Sequence, residues 1–204
     1  LVKNGIQTDR YKFNDRIRKE YRSKLGLEDK IVIGHIGRFT KQKNHKFMVD
    51  IFEQIHKKNP NTVLLLIGVG ELFDEIKCYV KNKNLDESII FFGATTEVPQ
   101  LLQAMDCFLF PSLYEGLPVA GVEVQAAGLP IVMSDTITRE VDIAELATYV
   151  SLEESADKWA DIVLEECKRK IDRKSKASIV KKAGFDIKET TDMLTTLYIT
   201  ESEK

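Results

Sequence analysis

The segment from Phe110 to Ser134 constrains the fold of this chain most, because it contains strand, loop, helix and strand signals in quick succession. An apolar run, Cys107–Phe110, is typical of a buried strand. Pro118 and Gly128 are predicted to mark the two ends of a short helix, and Ile131–Met133 forms the next apolar run. This arrangement can build an anion site from the backbone amides at a helix N-terminus.

The start of the predicted helix favours such a site. Proline at the first helical position loses nothing, since that amide would lack an intrahelical partner. Gly116 lets a ligand approach the backbone closely. Other amides are predicted to stay free, with the positive end of the helix dipole behind them. They are those of Gly116, Leu117, Val119 and Ala120.

Two carboxylates lie in and just after this loop. We expect Glu115 to face the mouth of the site, and Glu123 to lie further along a ligand, roughly 7–8 Å into the helix. A carbohydrate hydrolase using them as acid and nucleophile is an alternative, which requires carboxyl groups about 5–10 Å apart across a cleft. That alternative leaves the basic residues described below unexplained.

Strands that are apolar on both faces alternate with helices along the chain, which is typical of a mostly parallel sheet covered on both sides. The sequence therefore predicts an α/β, Rossmann-like, three-layer domain with a helical C-terminal extension. The further predicted strands are Ile31–Ile36, Val63–Ile67, Ile89–Phe92 and a short one near Tyr149. The predicted helices are Asn14–Leu25, Asn44–Lys58, Glu71–Asn82, Val98–Met105 and much of Glu154–Leu197.

The carboxyl ends of parallel strands share one edge of the sheet, where ligands of such folds bind. We therefore expect residues that follow four different strands to converge: Arg38, Gly70, Gly93 and Glu115. Gly68-x-Gly70 lacks the third glycine of a dinucleotide fingerprint, so it predicts only a tight turn.

The loop after the first strand places Gly37 and Arg38 at the strand end and Lys43 just before a helix. The planar guanidinium suits bidentate contact with phosphate oxygens, and lysine adds a point charge. Each charge-assisted hydrogen bond contributes about 1.5–3 kcal/mol. A cationic pair aimed at a diphosphate leaving group would also act on the charge that grows in the transition state.

Length and composition are those of a single globular domain. A length of 204 residues suffices for one sizeable α/β domain, and no apolar stretch has the length of a bilayer span. The three cysteines lack metal-ligand spacing, which favours reduced, mostly buried thiols. His35 and His45 are predicted to serve packing or capping.

Residues 1–60 carry 15 Lys and Arg against 7 Asp and Glu. The favoured interpretation for the part before Lys30 is a solvated helix face, in which basic residues alternate with Asp15 and Glu20. A basic region without interleaved aromatic side chains argues against nucleic acid as a partner. It permits peripheral contact with an anionic membrane surface.

Taken together, these motifs resemble those of the retaining nucleotide-sugar glycosyltransferases of family four. More narrowly, they resemble those of bacterial enzymes that build capsular or exopolysaccharide. The resemblance covers nearly the whole chain. It rests on Glu115-x7-Glu123 followed by Ala126-Ala127-Gly128-Leu129-Pro130, on Gly37-Arg38 with Lys43, on Phe92-Gly93, and on Phe110-Pro111-Ser112. The narrower likeness rests on Glu115 to Val141, including Ser134-Asp135-Thr136-Ile137-Thr138-Arg139-Glu140.

The resemblance implies roles for individual residues. Arg38 and Lys43 would hold the donor diphosphate, and Glu115 would bind hydroxyls of the transferred sugar. Glu123 would bind the ribose hydroxyls of the nucleotide. The backbone of Gly93, Ala94 and Thr95 would contact the base, and amides near Gly116, Leu117, Pro118 and Val119 would lie close to the departing phosphate. The helix N-terminus would take the place of a divalent metal, so no metal or other cofactor is expected.

The resemblance also implies half of a GT-B fold. Residues 1–204 would form a single donor-binding domain, with a linker and leading helix over residues 1–30, a Rossmann-like core over residues 31–150 and C-terminal helices over residues 151–204. An N-terminal acceptor domain would be absent from this chain. The expected partners are a nucleoside-diphosphate sugar, the missing acceptor domain and a glycan or lipid-linked acceptor.

The expected location is cytoplasmic, with contact at the inner face of the cell membrane permitted. A non-catalytic Rossmann-like nucleotide-binding module, complete as it stands, is the alternative from another functional class.

Overall fold

The computed structural model of the chain describes residues 3–202, so the outermost residues of the predicted domain, 1–2 and 203–204, lie outside it. Its strands form a parallel sheet with the order β3-β2-β1-β4-β5-β6. They are β1 (Ile31–Ile36), β2 (Thr62–Ile67), β3 (Ile89–Gly93), β4 (Cys107–Phe110), β5 (Ile131–Ser134) and β6 (Ala147–Val150). Each predicted strand is present, which confirms the parallel α/β class.

Helices cover both faces of the sheet. They are α1 (Thr8–Tyr11), α2 (Asp15–Lys24), α3 (His45–Lys58), α4 (Phe73–Asn82), α5 (Val98–Ala104), α6 (Val119–Ala126), α7 (Ala156–Glu166), α8 (Lys176–Val180) and α9 (Ile187–Ser202). Successive strand side chains point to opposite faces, so Val32 joins one core and Ile33 the other. The first core is completed by α1, α2, α5, α6 and α8, and the second by α3, α4 and α7. The three-layer prediction is confirmed.

The N-terminal segment pairs with the segment that leads into α9. The amide of Ile6 donates to the carbonyl of Phe185 at 2.8 Å, and the amide of Ile187 donates to the carbonyl of Ile6 at 2.9 Å. The hydroxyl of Thr8 also donates to Asp186 Oδ2. These bonds hold α1 against the start of α9, so the segment before α2 is part of the folded body.

The basic helix α2 is less solvated than the sequence predicts. Its N-terminus is capped as expected, since Asn14 Oδ1 accepts from the amide of Arg16 at 2.9 Å. However, Arg18 and Arg22 turn inward to Asp106, at 2.5 and 3.1 Å. Their guanidinium groups also bind backbone carbonyls at the end of α5 and in the loop before β4. The interpretation as a wholly solvated face was therefore wrong for these two arginines.

The cysteines also differ from the expectation of mostly buried thiols. Only Cys107 is buried among the three, while Cys167 is half-buried and Cys78 is exposed. A contact with Cys167, together with burial, raises the pKa of the Cys107 thiol. Residues distant in sequence meet here because β4 packs against the end of α7.

Candidate nucleotide-sugar site

The candidate site lies at the carboxyl edge of the sheet. Because all described strand pairs are parallel, the loops after β1, β2, β3 and β4 leave this same edge. β1 pairs with both β2 and β4, which places its loop between theirs. The strand order thus brings the Arg38 loop beside the Glu115 loop.

Three hydrogen bonds fasten the loop after β1 to the loop after β4. Gln42 Nε2 donates to the carbonyl of Tyr114 at 2.9 Å, and the amide of Leu113 donates to the carbonyl of Gln42 at 2.8 Å. Asn44 Nδ2 donates to the carbonyl of Pro111 at 3.1 Å. Loops about 70 residues apart in sequence are therefore held in a fixed relative position.

An ion pair adds a fourth link between the two loops. Lys43 Nζ lies 2.6 Å from Glu115 Oε1, and the two side chains are only 16% and 9% exposed. The ammonium also lies 4.8 Å from the ring centroid of Phe110. The structure thus brings two predicted site residues together. It turns Glu115 toward Lys43, whereas the sequence analysis expected it at the mouth of the site.

Arg38 lies at the same edge, but unlike Lys43 it is not paired with a carboxylate. It is exposed, and its guanidinium has no hydrogen bond or ion pair within residues 3–202. The carbonyl of Arg38 accepts from the amide of Thr40 at 2.8 Å, which fixes the turn. This exposed, unpaired cation follows the strand next to the one that leads to Glu115, and it is available to an incoming anion.

The glycines after β2 shape this loop. A Cβ at Gly68, whose φ is +136°, would lie 2.1 Å from the carbonyl oxygen of Gly37. A Cβ at Gly70 would lie 2.5 Å from the carbonyl oxygen of Phe39. The sequence analysis predicted only a tight turn here. It missed that the β1 loop lies directly against this turn, since only the sheet order shows that contact.

At the N-terminus of α6 the helix begins one residue later than predicted, and two of the predicted amides are free. Pro118 has φ −74° and ψ 120°, so it is the N-cap residue and the helix begins at Val119. The amides of Val119 and Ala120 have no partner in the described part of the chain, whereas that of Gly121 donates to the carbonyl of Pro118 at 2.9 Å. A Cβ at Gly116 would meet nothing within 4 Å, so this stretch is open to a ligand.

The loop after β3 joins the site through β2. Gly93 has φ +83°, and its carbonyl accepts from the amide of Gly68 at 2.9 Å. Ala94 is exposed, and Thr95 Oγ1 accepts from the amide of Glu97 at 3.0 Å. This loop therefore lies two strands away from the Arg38 loop and three strands away from the Glu115 loop.

Glu123 lies in α6 and points to a different neighbour. Its Oε1 accepts a hydrogen bond from the hydroxyl of Tyr11 in α1. Burial raises the pKa of Glu123 above its usual value, while the bond from Tyr11 opposes that shift. Burial also raises the pKa of the Tyr11 hydroxyl. The sequence analysis missed Tyr11, because its distance along the chain gives no signal of this contact.

The two histidines near the site are packing residues, in agreement with the sequence analysis. His35 Nδ1 donates to the carbonyl of Leu109 at 2.9 Å, and His45 stacks on Phe39 with ring centroids 4.0 Å apart. Burial lowers the pKa of His45 to about 4 and that of His35 well below its usual value. Both rings are therefore neutral at physiological pH.

Two further properties of the described residues concern clustered metal ligands and membrane-spanning helices. Within residues 3–202, no group of three or more His, Cys, Asp or Glu side chains is placed to hold a metal ion. Across the same residues, every helix falls short of the length and apolar character that crossing a membrane requires.

Similarity to known proteins shows the family of this chain. The family model for glycosyl transferases group 1 matches residues 17–183, and the chain belongs to this family. The Bacillus subtilis (strain 168) protein EpsF, a glycosyltransferase by name, is 33% identical over 100% of this chain and 54% of its own length. An Escherichia coli UDP-Gal:alpha-D-GlcNAc-diphosphoundecaprenol alpha-1,3-galactosyltransferase is 29% identical over 98% of this chain and 53% of its length.

Solved structures share this fold. The crystal structure of Anabaena HepE in complex with UDP and glucose superposes with a TM-score of 0.76, at 21% identity, over 97% of this chain and 56% of that one. This likeness confirms the predicted Rossmann-like domain of the GT-B glycosyltransferases. The chain spans about half the length of the curated relatives it matches.

Proposed function

We propose that this chain is the donor-binding half of a retaining glycosyltransferase, which transfers a hexosyl group from a nucleoside-diphosphate sugar during bacterial surface polysaccharide synthesis. The observation that carries the proposal is the fastening of the Arg38 loop to the Glu115 loop beside the open tip of α6. One free guanidinium and two free amides lie at this edge. Together they supply a positive charge and free N–H donors, which are the groups that bind a diphosphate.

Arg38 is the first contact for the diphosphate, because its charge is exposed and unpaired. Lys43 contributes while it remains bound to Glu115, since an ammonium has three donors and the carboxylate uses one. The amides of Val119 and Ala120 add the positive end of the α6 dipole. As the sugar–phosphate bond breaks, negative charge grows on the departing phosphate, and these fixed donors stabilise it.

The carboxylates recognise hydroxyl groups. Lys43 holds Glu115 Oε1, which leaves Oε2 to accept from hydroxyls of the transferred sugar. The ion pair thereby fixes the orientation of the sugar-binding carboxylate. Glu123 accepts from the ribose hydroxyls, and the loop of Gly93, Ala94 and Thr95 contacts the base.

The cationic side chains and the helix tip supply the positive charge for the leaving group, so the proposal needs no divalent metal. A second half of the polypeptide would bind the acceptor. The Escherichia coli relative is named for transfer to a diphosphoundecaprenol-linked sugar. By analogy, a glycan or lipid-linked acceptor at the inner face of the cell membrane is proposed for the complete protein.

Calorimetric titration tests the proposal. The 204-residue chain is titrated with UDP, GDP and ADP in the presence of EDTA. We expect saturable binding of at least one of them without a metal. Absence of heat for all three, with circular dichroism showing folded protein, contradicts a donor site. Binding that appears only after adding Mg²⁺ contradicts the metal-free part alone.

A further inference from the structure

The bond between Tyr11 and Glu123 joins the first helix to the proposed nucleotide site. The tyrosine hydroxyl donates to Glu123 Oε1. The second oxygen, Oε2, has no hydrogen-bond partner among the described residues and is not a buried atom. One oxygen of this carboxylate is therefore occupied, and the other is available.

Tyr11 is held firmly in place. The residue is 7% exposed, and its carbonyl accepts from Gln103 Nε2 at 3.3 Å. The helix that carries it is fixed to the C-terminal part of the chain by the Thr8–Asp186 bond and the pairing of Ile6. The direction of the tyrosine O–H is thus set by the tertiary structure before any ligand arrives.

This bond also acts on the charge of Glu123. Burial favours the neutral acid, which would present a proton to the ligand in place of a lone pair. A hydrogen bond donated to the carboxylate favours the charged form, and so does the nearby charge of Arg10. Tyr11 consequently helps to keep Glu123 an acceptor.

We propose that Tyr11 is a positioning residue for nucleotide recognition: it fixes Glu123 through Oε1, so that Oε2 accepts from a ribose hydroxyl of the donor. This inference rests on the proposed function. It predicts that the N-terminal segment, through one phenolic hydroxyl, determines how strongly the site distinguishes ribose from deoxyribose.

The test compares Tyr11→Phe with the wild-type chain, using UDP, 2′-deoxy-UDP and 3′-deoxy-UDP as ligands in calorimetry. We expect the wild-type chain to bind UDP about 5- to 50-fold more tightly than at least one deoxy analogue. In Tyr11→Phe this ratio should fall to within about threefold, because UDP binding weakens while deoxy binding is nearly unchanged. The pH at which UDP binding is half-lost on acidification should move upward, since Glu123 then loses a donor.

Tyr79→Phe is a matched control. The hydroxyl of Tyr79 donates to Asp50 Oδ1 at 2.6 Å between α4 and α3, away from the carboxyl edge. This variant should keep the wild-type ratio and pH midpoint. If circular dichroism shows that Tyr11→Phe is unfolded, Tyr11→Met provides the second variant with the same expected loss of discrimination.

Failure of the proposed function can be distinguished from failure of the role of Tyr11. A wild-type chain that binds none of UDP, GDP and ADP overturns the proposed function, and the role of Tyr11 with it. If GDP or ADP is the ligand that binds, its deoxy analogues replace those of UDP in this test. A wild-type chain that binds UDP, with an unchanged ribose ratio and pH midpoint in folded Tyr11→Phe, overturns only the role of Tyr11.

Discussion

Lys43 Nζ lies 2.6 Å from Glu115 Oε1, although the two residues are 72 positions apart in sequence. Both side chains are largely buried, at 16% and 9% exposure. The attraction between two such charges offsets the cost of removing them from water only when both are present. Removal of one partner therefore leaves an uncompensated charge. The pair is therefore a structural link as well as part of the proposed site.

A double-mutant cycle measures this link. Lys43→Met and Glu115→Gln should each lower the free energy of unfolding by about 1–3 kcal/mol, and the double variant should lose less than their sum. Urea unfolding at neutral pH provides the values. The exposed pair Lys24–Glu97, 3.6 Å apart, serves as the control, with an expected coupling below about 0.5 kcal/mol. Equal coupling in the two cycles would contradict the structural role.

Replacement of Arg38 should separate binding from stability. Its guanidinium has no partner in the described residues, so Arg38→Ala should change the free energy of unfolding by less than about 0.5 kcal/mol. If it contacts the diphosphate, the same variant weakens nucleoside diphosphate binding by about 1–3 kcal/mol. Arg16→Ala, at an exposed position of α2, is the control for loss of a positive charge. Similar affinities for both variants would remove the assigned role.

Two glycines at the site should differ in how much an added methyl group destabilises the fold. Gly68→Ala places a Cβ 2.1 Å from the carbonyl oxygen of Gly37 at a positive φ, so it should destabilise the fold by about 2–5 kcal/mol. Gly116→Ala meets nothing within 4 Å and should cost less than about 1 kcal/mol. Thermal and urea unfolding compare the two directly. Full stability of Gly68→Ala would show that the β1 loop does not lie against this turn.

Glu123 should make stability depend on pH in a defined direction. Burial raises its pKa in the folded state, so the neutral acid stabilises the fold at low pH. This contribution is complete below the unfolded pKa of about 4.3 and is lost as the pH rises through the higher folded pKa. Glu123→Gln should therefore gain stability relative to wild type as the pH rises from about 4 through the raised folded pKa. Urea unfolding across this range checks the trend.

The exposed Glu87→Gln provides the reference for this experiment. Its difference from wild type should stay nearly constant over the same pH range. A difference for Glu123→Gln that is equally flat would mean that the carboxyl group ionises alike in the folded and unfolded chain.

Local patterns predicted the elements of this fold well. The strand β1 was predicted at its observed bounds, Ile31–Ile36, because this mainly apolar run ends directly before Gly37. The helix α6 was predicted one residue early, because proline is compatible with both the N-cap and the first helical position. The inward-facing Arg18 and Arg22 were missed, because alternation of charge along α2 does not reveal the carboxylate of Asp106 on a neighbouring element.

The sequence by itself determined the parallel α/β class, the family and the edge of the sheet at which the predicted site residues gather. These follow from apolar periodicity and from short motifs, which act over a few neighbouring residues. Only the tertiary structure decided which partners those residues have: Lys43 for Glu115, Tyr11 for Glu123, Gly68 against Gly37, and none for Arg38 among the described residues. The physical reason is that ion pairing, burial and close approach depend on strand order and helix packing, which bring together side chains that no local pattern relates.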